Sequence, residues 1–214
     1  MKIVITGASR GIGAGLADAY RARGDQVIGT GRSVASEIVL DVTQPSSQTA
    51  MAKALGPDPV DLLVCNAGVY LDKGERLDDG YAADIWAKSF ATNVTGVFLS
   101  IQSLLPQLRA AKNARIAIIS SQMASSERAP GGSYVYRASK AAVLNLGRNL
   151  AADLKREGIA VGIYHPGWVQ TDLGGTSADI TVAEAVAGLV ARFDALTVET
   201  TGCFETWDGR AHPY

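Results

Sequence analysis

The chain has 214 residues, enough for one well-buried core and too few for two comfortable domains, so residues 1–214 are expected to form a single domain. Its 20 basic and 21 acidic side chains nearly cancel, which speaks against nucleic acid or an anionic membrane as a partner. Cys65 and Cys203, like His165 and His212, stand far apart in the chain, a spacing that offers neither a disulfide framework nor a metal-ligand cluster.

The predicted elements alternate between strand and helix. Ile3–Thr6 is a short apolar run, read as a buried strand; it is too short for a signal peptide or a membrane span, so a cytoplasmic protein is expected. Gly11–Arg23 follows as a helix, with Ile12, Leu16, Ala19 and Tyr20 at helical spacing. Gln26–Thr30 and Ile38–Leu40 read as the second and third strands. Ser46–Leu55 reads as a helix that starts after Pro45 and stops at Gly56-Pro57. Val60–Cys65 is the fourth strand, and a long helical stretch then covers Ala82–Ala111, with a break expected near Gly96 or Pro106. Arg115–Ser120 is the fifth strand, Tyr134–Glu157 a helix ended by Gly158, and Ile159–Tyr164 the sixth strand. Val182–Phe193 is a helix and Cys203–Thr206 a last strand. Tyr70–Gly80 and Gly174–Asp179 read as the least ordered stretches. The strands are continuous apolar runs, the pattern of strands buried on both faces. The expected fold is therefore α/β, a doubly wound parallel sheet of about seven strands with helices on both faces.

The first strand runs into Thr6-Gly7-Ala8-Ser9-Arg10-Gly11-Ile12-Gly13, and a helix follows. Glycines in such a turn let the backbone close on a pyrophosphate, and the helix N-terminus offers it free N–H groups. Gly7, Ser9, Arg10, Gly11, Ile12 and Gly13 are thus candidate dinucleotide-binding residues. The second strand ends in Gly29-Thr30-Gly31-Arg32, where NAD-preferring sites carry an acid for the ribose hydroxyls. Arg10 and Arg32 instead supply two guanidinium groups, which suit a 2′-phosphate, so NADP(H) is expected over NAD(H). Asp41-Val42 ends the third strand; the carboxylate either receives the adenine amino group or closes a turn. Asn66-Ala67-Gly68 follows the fourth strand, small residues that let a loop pass close to the adenine side of the cofactor.

Reduction of a carbonyl by hydride needs a proton donor at the developing alkoxide. A phenol with its ordinary pKa of about 10 exchanges protons poorly at neutral pH. A cation four residues further along a helix lies on the same face. Lys140 stands at that spacing from Tyr136, so Tyr136 is the candidate acid/base and the Lys140 ammonium is expected to lower its pKa. Ser121, at the end of the fifth strand, is the candidate donor to the substrate oxygen, with Ser120 and Ser133 as alternatives.

Six marks in order, TGASRGIG at 6–13, CNAG at 65–68, Asn93 in TNVTG, the Ser120-Ser121 pair, YRASK at 136–140 and HPGWVQTD at 165–172, resemble the short-chain dehydrogenase/reductase family over nearly the whole chain. CNAGVY, YRASKAAVLN, PGWVQTDLGG and TGCFETWDGR look most like its C-factor and sniffer-type carbonyl reductase branch. The resemblance implies a Rossmann-type fold and an NADP(H)-dependent reductase of a small carbonyl substrate. It implies that Lys140 also holds the nicotinamide ribose, that Asn93 orients a water relaying protons to Lys140, and that Pro166, Gly167, Val169 and Thr171 face the nicotinamide. It further implies a homodimer or homotetramer built on the helices that carry Asn93 and Tyr136. Two departures stand out: Cys65, where the family more often has Asn, and the fifteen residues from Ser121 to Tyr136, slightly more than is common. The stretch from Thr171 to the next helix is shorter than the family's usual substrate lid, so an open, shallow pocket is expected. Trp168, Tyr70, Met123, Leu173 and Trp86 are candidates to line it for an apolar aldehyde or ketone, while Trp86 and Leu173 read equally well as core. The alternative is a non-enzymatic dinucleotide-binding sensor on the same fold, against which the retained Tyr136 and Lys140 argue.

Overall fold

The apolar runs of the sequence become strands whose two faces are both covered. The computed structural model describes residues 1–214. Its strands are β1 (Lys2–Thr6), β2 (Gln26–Gly31), β3 (Ile38–Val39), β4 (Leu62–Cys65), β5 (Arg115–Ile119), β6 (Ala160–His165) and β7 (Phe204–Thr206). They form one parallel sheet in the order β3-β2-β1-β4-β5-β6-β7. Because side chains alternate along a strand, Ile3, Ile5, Leu62 and Val64 point to one face, and Val4, Leu63, Ile116 and Ile163 to the other. The helices α1 (Gly11–Ala22) and α6 (Val182–Ala195) cover the first face; α2 (Pro45–Leu55), α4 (Gly96–Ala110) and α5 (Tyr134–Leu154) cover the second.

The sheet winds outward from β1 in both directions. β1 pairs with β2 on one side and with β4 on the other, Ile5 facing Gly29 and Val64 respectively. The loops leaving β1 and β4 therefore diverge, and a crevice opens between them at the carboxyl edge of the sheet. On the far side, α5 lies close against β5 and β6. A Cβ at Gly147 would stand 2.7 Å from Ile163 Cγ1 and 3.1 Å from Ile118 Cδ1, so this approach needs glycine.

The long helical stretch does break, next to Gly96 and not at Pro106. α3 (Ala83–Phe90) joins α4 through a π-helical turn, Ala91–Thr95, that ends just before Gly96, while Pro106 sits inside α4. A π turn inserts one residue into the helical ladder. Asn93 lies inside that turn, buried and hydrogen-bonded to other segments. The two stretches read as least ordered contain no helix or strand, yet both are tethered. Asp72 is buried, Trp168 Nε1 donates to Gly174 O at 2.8 Å, and Gln170 Nε2 donates to Ala178 O at 3.1 Å. Smaller differences fall at element ends: Val60 and Ser120 lie outside their strands, and Lys155–Glu157 is a 3-10 turn after α5. No helix is long and apolar enough to cross a membrane.

Candidate active site

The crevice between the β1 and β4 loops is held by side chains of both. Thr6 Oγ1 accepts the N–H groups of Asn66 and Ala67 at 3.0 and 3.1 Å. Asn66 Nδ2 returns two bonds, to Thr6 O at 3.0 Å and Gly7 O at 2.9 Å. Gly13 completes the junction from α1: a Cβ there would lie 2.3 Å from Gly7 O and 2.5 Å from Asn66 Nδ2. No side chain caps the N-terminus of α1, so its first N–H groups face the crevice free of a side-chain acceptor.

A cavity of about 910 Å³ runs along this edge. Of the residues expected to hold a dinucleotide, Gly7, Ser9, Arg10, Gly11, Ile12, Arg32, Asp41, Val42, Asn66, Ala67, Gly68, Tyr136, Lys140, Pro166 and Thr171 line it. Gly13 does not; it serves helix–strand packing. Gly167 and Val169 line a second cavity of about 330 Å³ that shares Ile12, Ser120, Tyr136, Pro166, Thr171 and Leu173 with the first. The free helix N-terminus, the volume of the cavity and the glycine-lined wall fit a dinucleotide.

Two details qualify the expected cation pair. Arg10 is ion-paired to Asp172 across the cavity mouth, whereas Arg32 lines the cavity without a carboxylate partner. Asp41 closes a turn, its Oδ1 accepting Thr43 N at 2.9 Å and Thr43 Oγ1 at 2.7 Å. These bonds hold its carboxyl below the usual range, with Arg32 adding a smaller pull.

Tyr136 sits where the two cavities meet, and Lys140 lines the larger one. Both are buried; the Lys140 Nζ donates to Ile119 O at 2.9 Å and lies 5.6 Å from the Tyr136 ring centre. Of the three serines, Ser121 alone acts to draw the Tyr136 phenol's pKa down, and its hydroxyl accepts Met123 N at 3.1 Å. Ser120 turns away to Lys140 O at 3.1 Å, and Ser133 bonds the Tyr70 hydroxyl at 2.5 Å. Asn93 spends its side chain on structure: Oδ1 accepts Val69 N at 2.8 Å, and Nδ2 donates to Val69 O at 2.9 Å and Ser139 Oγ at 3.0 Å.

Burial governs the charges here. It pushes the Tyr136 phenol well above its ordinary value; Ser121 opposes this, while Tyr70 and Asp72 add to it. It pushes Lys140 down to about 8. The expected lowering of Tyr136 by Lys140 is not found: desolvation of the phenol dominates, and Ser121 supplies the opposing pull. His165, at the base of the smaller cavity, is held down to about 4 by burial and then by His212. Burial pushes the Cys65 thiol up to about 12, the behaviour of an inert core cysteine.

The smaller cavity is walled by Tyr70, Met123, Trp168 and Leu173, as the sequence suggested. Trp86 is absent from it; its ring stacks on Phe90 at 6.1 Å. Lys73 joins the wall unforeseen. Asp72 was also missed: its buried carboxylate accepts Val135 N at 2.9 Å and Tyr136 N at 3.2 Å. Tyr70, foreseen as a wall, also stacks on Tyr136 with ring centres 4.3 Å apart.

The family model for short chain dehydrogenases matches residues 1–180, and the chain belongs to that family. The "C-signal" protein of Myxococcus xanthus is 37% identical over 166 residues, covering 77% of this chain and 99% of its own. A 1-hydroxy-2-glutathionyl-2-methyl-3-butene dehydrogenase of Rhodococcus sp. (strain AD45) is 34% identical, covering 97% of this chain and 96% of its own. Among solved structures, the NADPH-bound carbonyl reductase from chicken fatty liver superposes with a TM-score of 0.92 at 29% identity, covering 100% of this chain and 98% of the other. The chain is an oxidoreductase of this family, and its fold is that of its carbonyl reductases.

Proposed function

We propose that the chain is an NADP(H)-dependent carbonyl reductase in which Tyr136 is the general acid of reduction and the base of the reverse reaction. The observation that carries this reading is that Tyr136 lines both a dinucleotide-sized cavity and a smaller aromatic one, with Lys140 in the wall of the first and Ser121 in the wall of the second. The nicotinamide cofactor, when bound, supplies or accepts the hydride. Ser121 hydrogen-bonds the substrate oxygen, and Tyr136 passes its proton to the alkoxide forming there. Burial favours the neutral phenol, so Tyr136 meets the substrate with its proton in place. Lys140 then favours the phenolate that remains, and it holds the nicotinamide ribose. Asn93 supports the relay of protons to Lys140 by keeping the β4 loop and α5 together.

Arg32, free of a carboxylate partner, and Arg10, in competition with Asp172, receive the 2′-phosphate. Pro166, Gly167, Val169 and Thr171 flank the nicotinamide end. The NADPH bound to the chicken carbonyl reductase supports the choice of cofactor. The aromatic and aliphatic walls favour an apolar aldehyde or ketone. Residues 1–214 act as one cytoplasmic domain, assembled as a homodimer or homotetramer.

The test follows NADPH and NADH oxidation with a panel of aldehydes, diketones and quinones, for wild type and Tyr136→Phe. Turnover is expected with NADPH in preference to NADH, and its loss in the variant by at least about a hundredfold, the typical contribution of a general acid. Tight NADPH binding with no turnover of any carbonyl would instead favour the sensor reading.

A further inference from the structure

We propose that Tyr70 and Asp72, from the segment between β4 and α3, are positioning residues for proton transfer at Tyr136: the ring braces the phenol, and the carboxylate fixes the helical turn that carries it. The inference rests on the reading of Tyr136 as the acid.

The first turn of α5 lacks a local cap. Ser133, at the cap position, is left-handed (φ 48°, ψ 42°), and its side chain makes no capping bond. The first N–H groups of a helix need acceptors, ordinarily supplied by the residue just before it. Here the acceptor comes from 63 residues away: Asp72 Oδ2 takes Val135 N at 2.9 Å, and both carboxylate oxygens reach Tyr136 N at 3.2 Å. Asp72 is 1% exposed and has no basic partner. A buried carboxylate without a cation is costly, so these N–H groups and the positive end of the α5 dipole are what hold it. Two residues earlier, the Tyr70 ring lies over Tyr136 at 4.3 Å and 21° between planes, with its hydroxyl on Ser133 Oγ. One short segment therefore grips residues 133, 135 and 136 together.

A purely structural cap needs no charge; Asn caps a helix as well as Asp does. The charge matters at the phenol. Tyr136 faces Tyr70, Asp72 and Lys73 from this segment, Ser121 from the turn after β5, Lys140 from its own helix and His165 from the end of β6. Asp72 and Tyr70 both oppose ionisation of Tyr136, which keeps the donor protonated.

The experiment measures kcat against pH for carbonyl reduction with NADPH in wild type, Asp72→Asn, Tyr70→Ala and Tyr70→Phe, with melting temperature recorded for each. Asp72→Asn is expected to move the alkaline limb of kcat to lower pH, since a nearby negative charge has been removed. Tyr70→Ala is expected to lower kcat about tenfold while KM for NADPH stays within about twofold, and Tyr70→Phe to recover most of that loss, as befits misalignment of an acid rather than lost cofactor binding. Limbs that coincide in wild type and Asp72→Asn would overturn the inference, as would kcat losses that merely follow melting temperature. If Asp72→Asn does not fold, the Tyr70 pair decides alone. A wild type inactive on every carbonyl would sink the proposed function and this inference together; an active wild type with unmoved variants sinks only the inference.

Discussion

Tyr136 and Lys140 are displaced in opposite directions by the same cause. Desolvation penalises whichever form is charged, so the phenol is pushed up and the ammonium is pushed down to about 8. For Lys140 this has a consequence for stability. Between pH 8 and the ordinary lysine value of 10.5, the unfolded chain binds a proton that the folded chain does not. Stability therefore rises with pH through that window, and below it the full penalty applies. Lys140→Met removes the penalty. The variant is expected to be more stable than wild type at pH 7, by about 1–3 kcal/mol, with the gap closing as pH approaches 10.5. Urea denaturation of both proteins across this range checks it; a gap independent of pH would refute the account. At this scale the sequence exposed Tyr136 and Lys140 because four-residue spacing is a property of one helix. It did not expose Asp72 as their support, because a cap reaching across 63 residues leaves no local pattern.

Helices and loops add what single residues do not. α1, β1 and the β4 loop meet at a point where only glycine fits, with Gly7 O and Asn66 Nδ2 crowding the missing Cβ of Gly13. Gly13→Ala is expected to cost about 1–3 kcal/mol through overpacking, lowering the melting temperature by about 2–4 °C per kcal/mol in a chain of this size. Calorimetry checks it, and an unchanged midpoint would show that the junction yields. The Gly-rich turn between β1 and α1 was legible in the sequence, but the division of labour within it was not. Gly11 faces the cavity while Gly13 faces backbone, a difference that depends on where β4 lies. The same holds for the break before α4: glycine and proline are the usual interrupters in a sequence. The π turn ends just before Gly96, but its form coincides with the bonds of Asn93 to Val69 and Ser139, which are long-range contacts.

Across the whole molecule, both cavities lie at the carboxyl edge of one sheet, where the β1 and β4 loops part. The residues in them come from stretches scattered along the chain from Gly7 to Val182. The proposed assembly is tested at this scale. Sedimentation equilibrium at micromolar concentration is expected to give two or four times the chain mass of 22.3 kDa, and a clean single-chain mass would refute it.

The sequence by itself determined the alternation of elements, the doubly wound parallel sheet, the Gly-rich turn after β1 and the spacing of Tyr136 and Lys140 on one helix. Each of these is written in local periodicity, in turn residues or in spacing along one helix. Only the tertiary structure decided which serine acts on the phenol, that Arg10 is ion-paired to Asp172, that Asn93 is spent on holding two segments together, and that burial governs Tyr136. Those outcomes depend on distances between residues far apart in the chain and on exclusion of water, and neither quantity exists before the chain has folded.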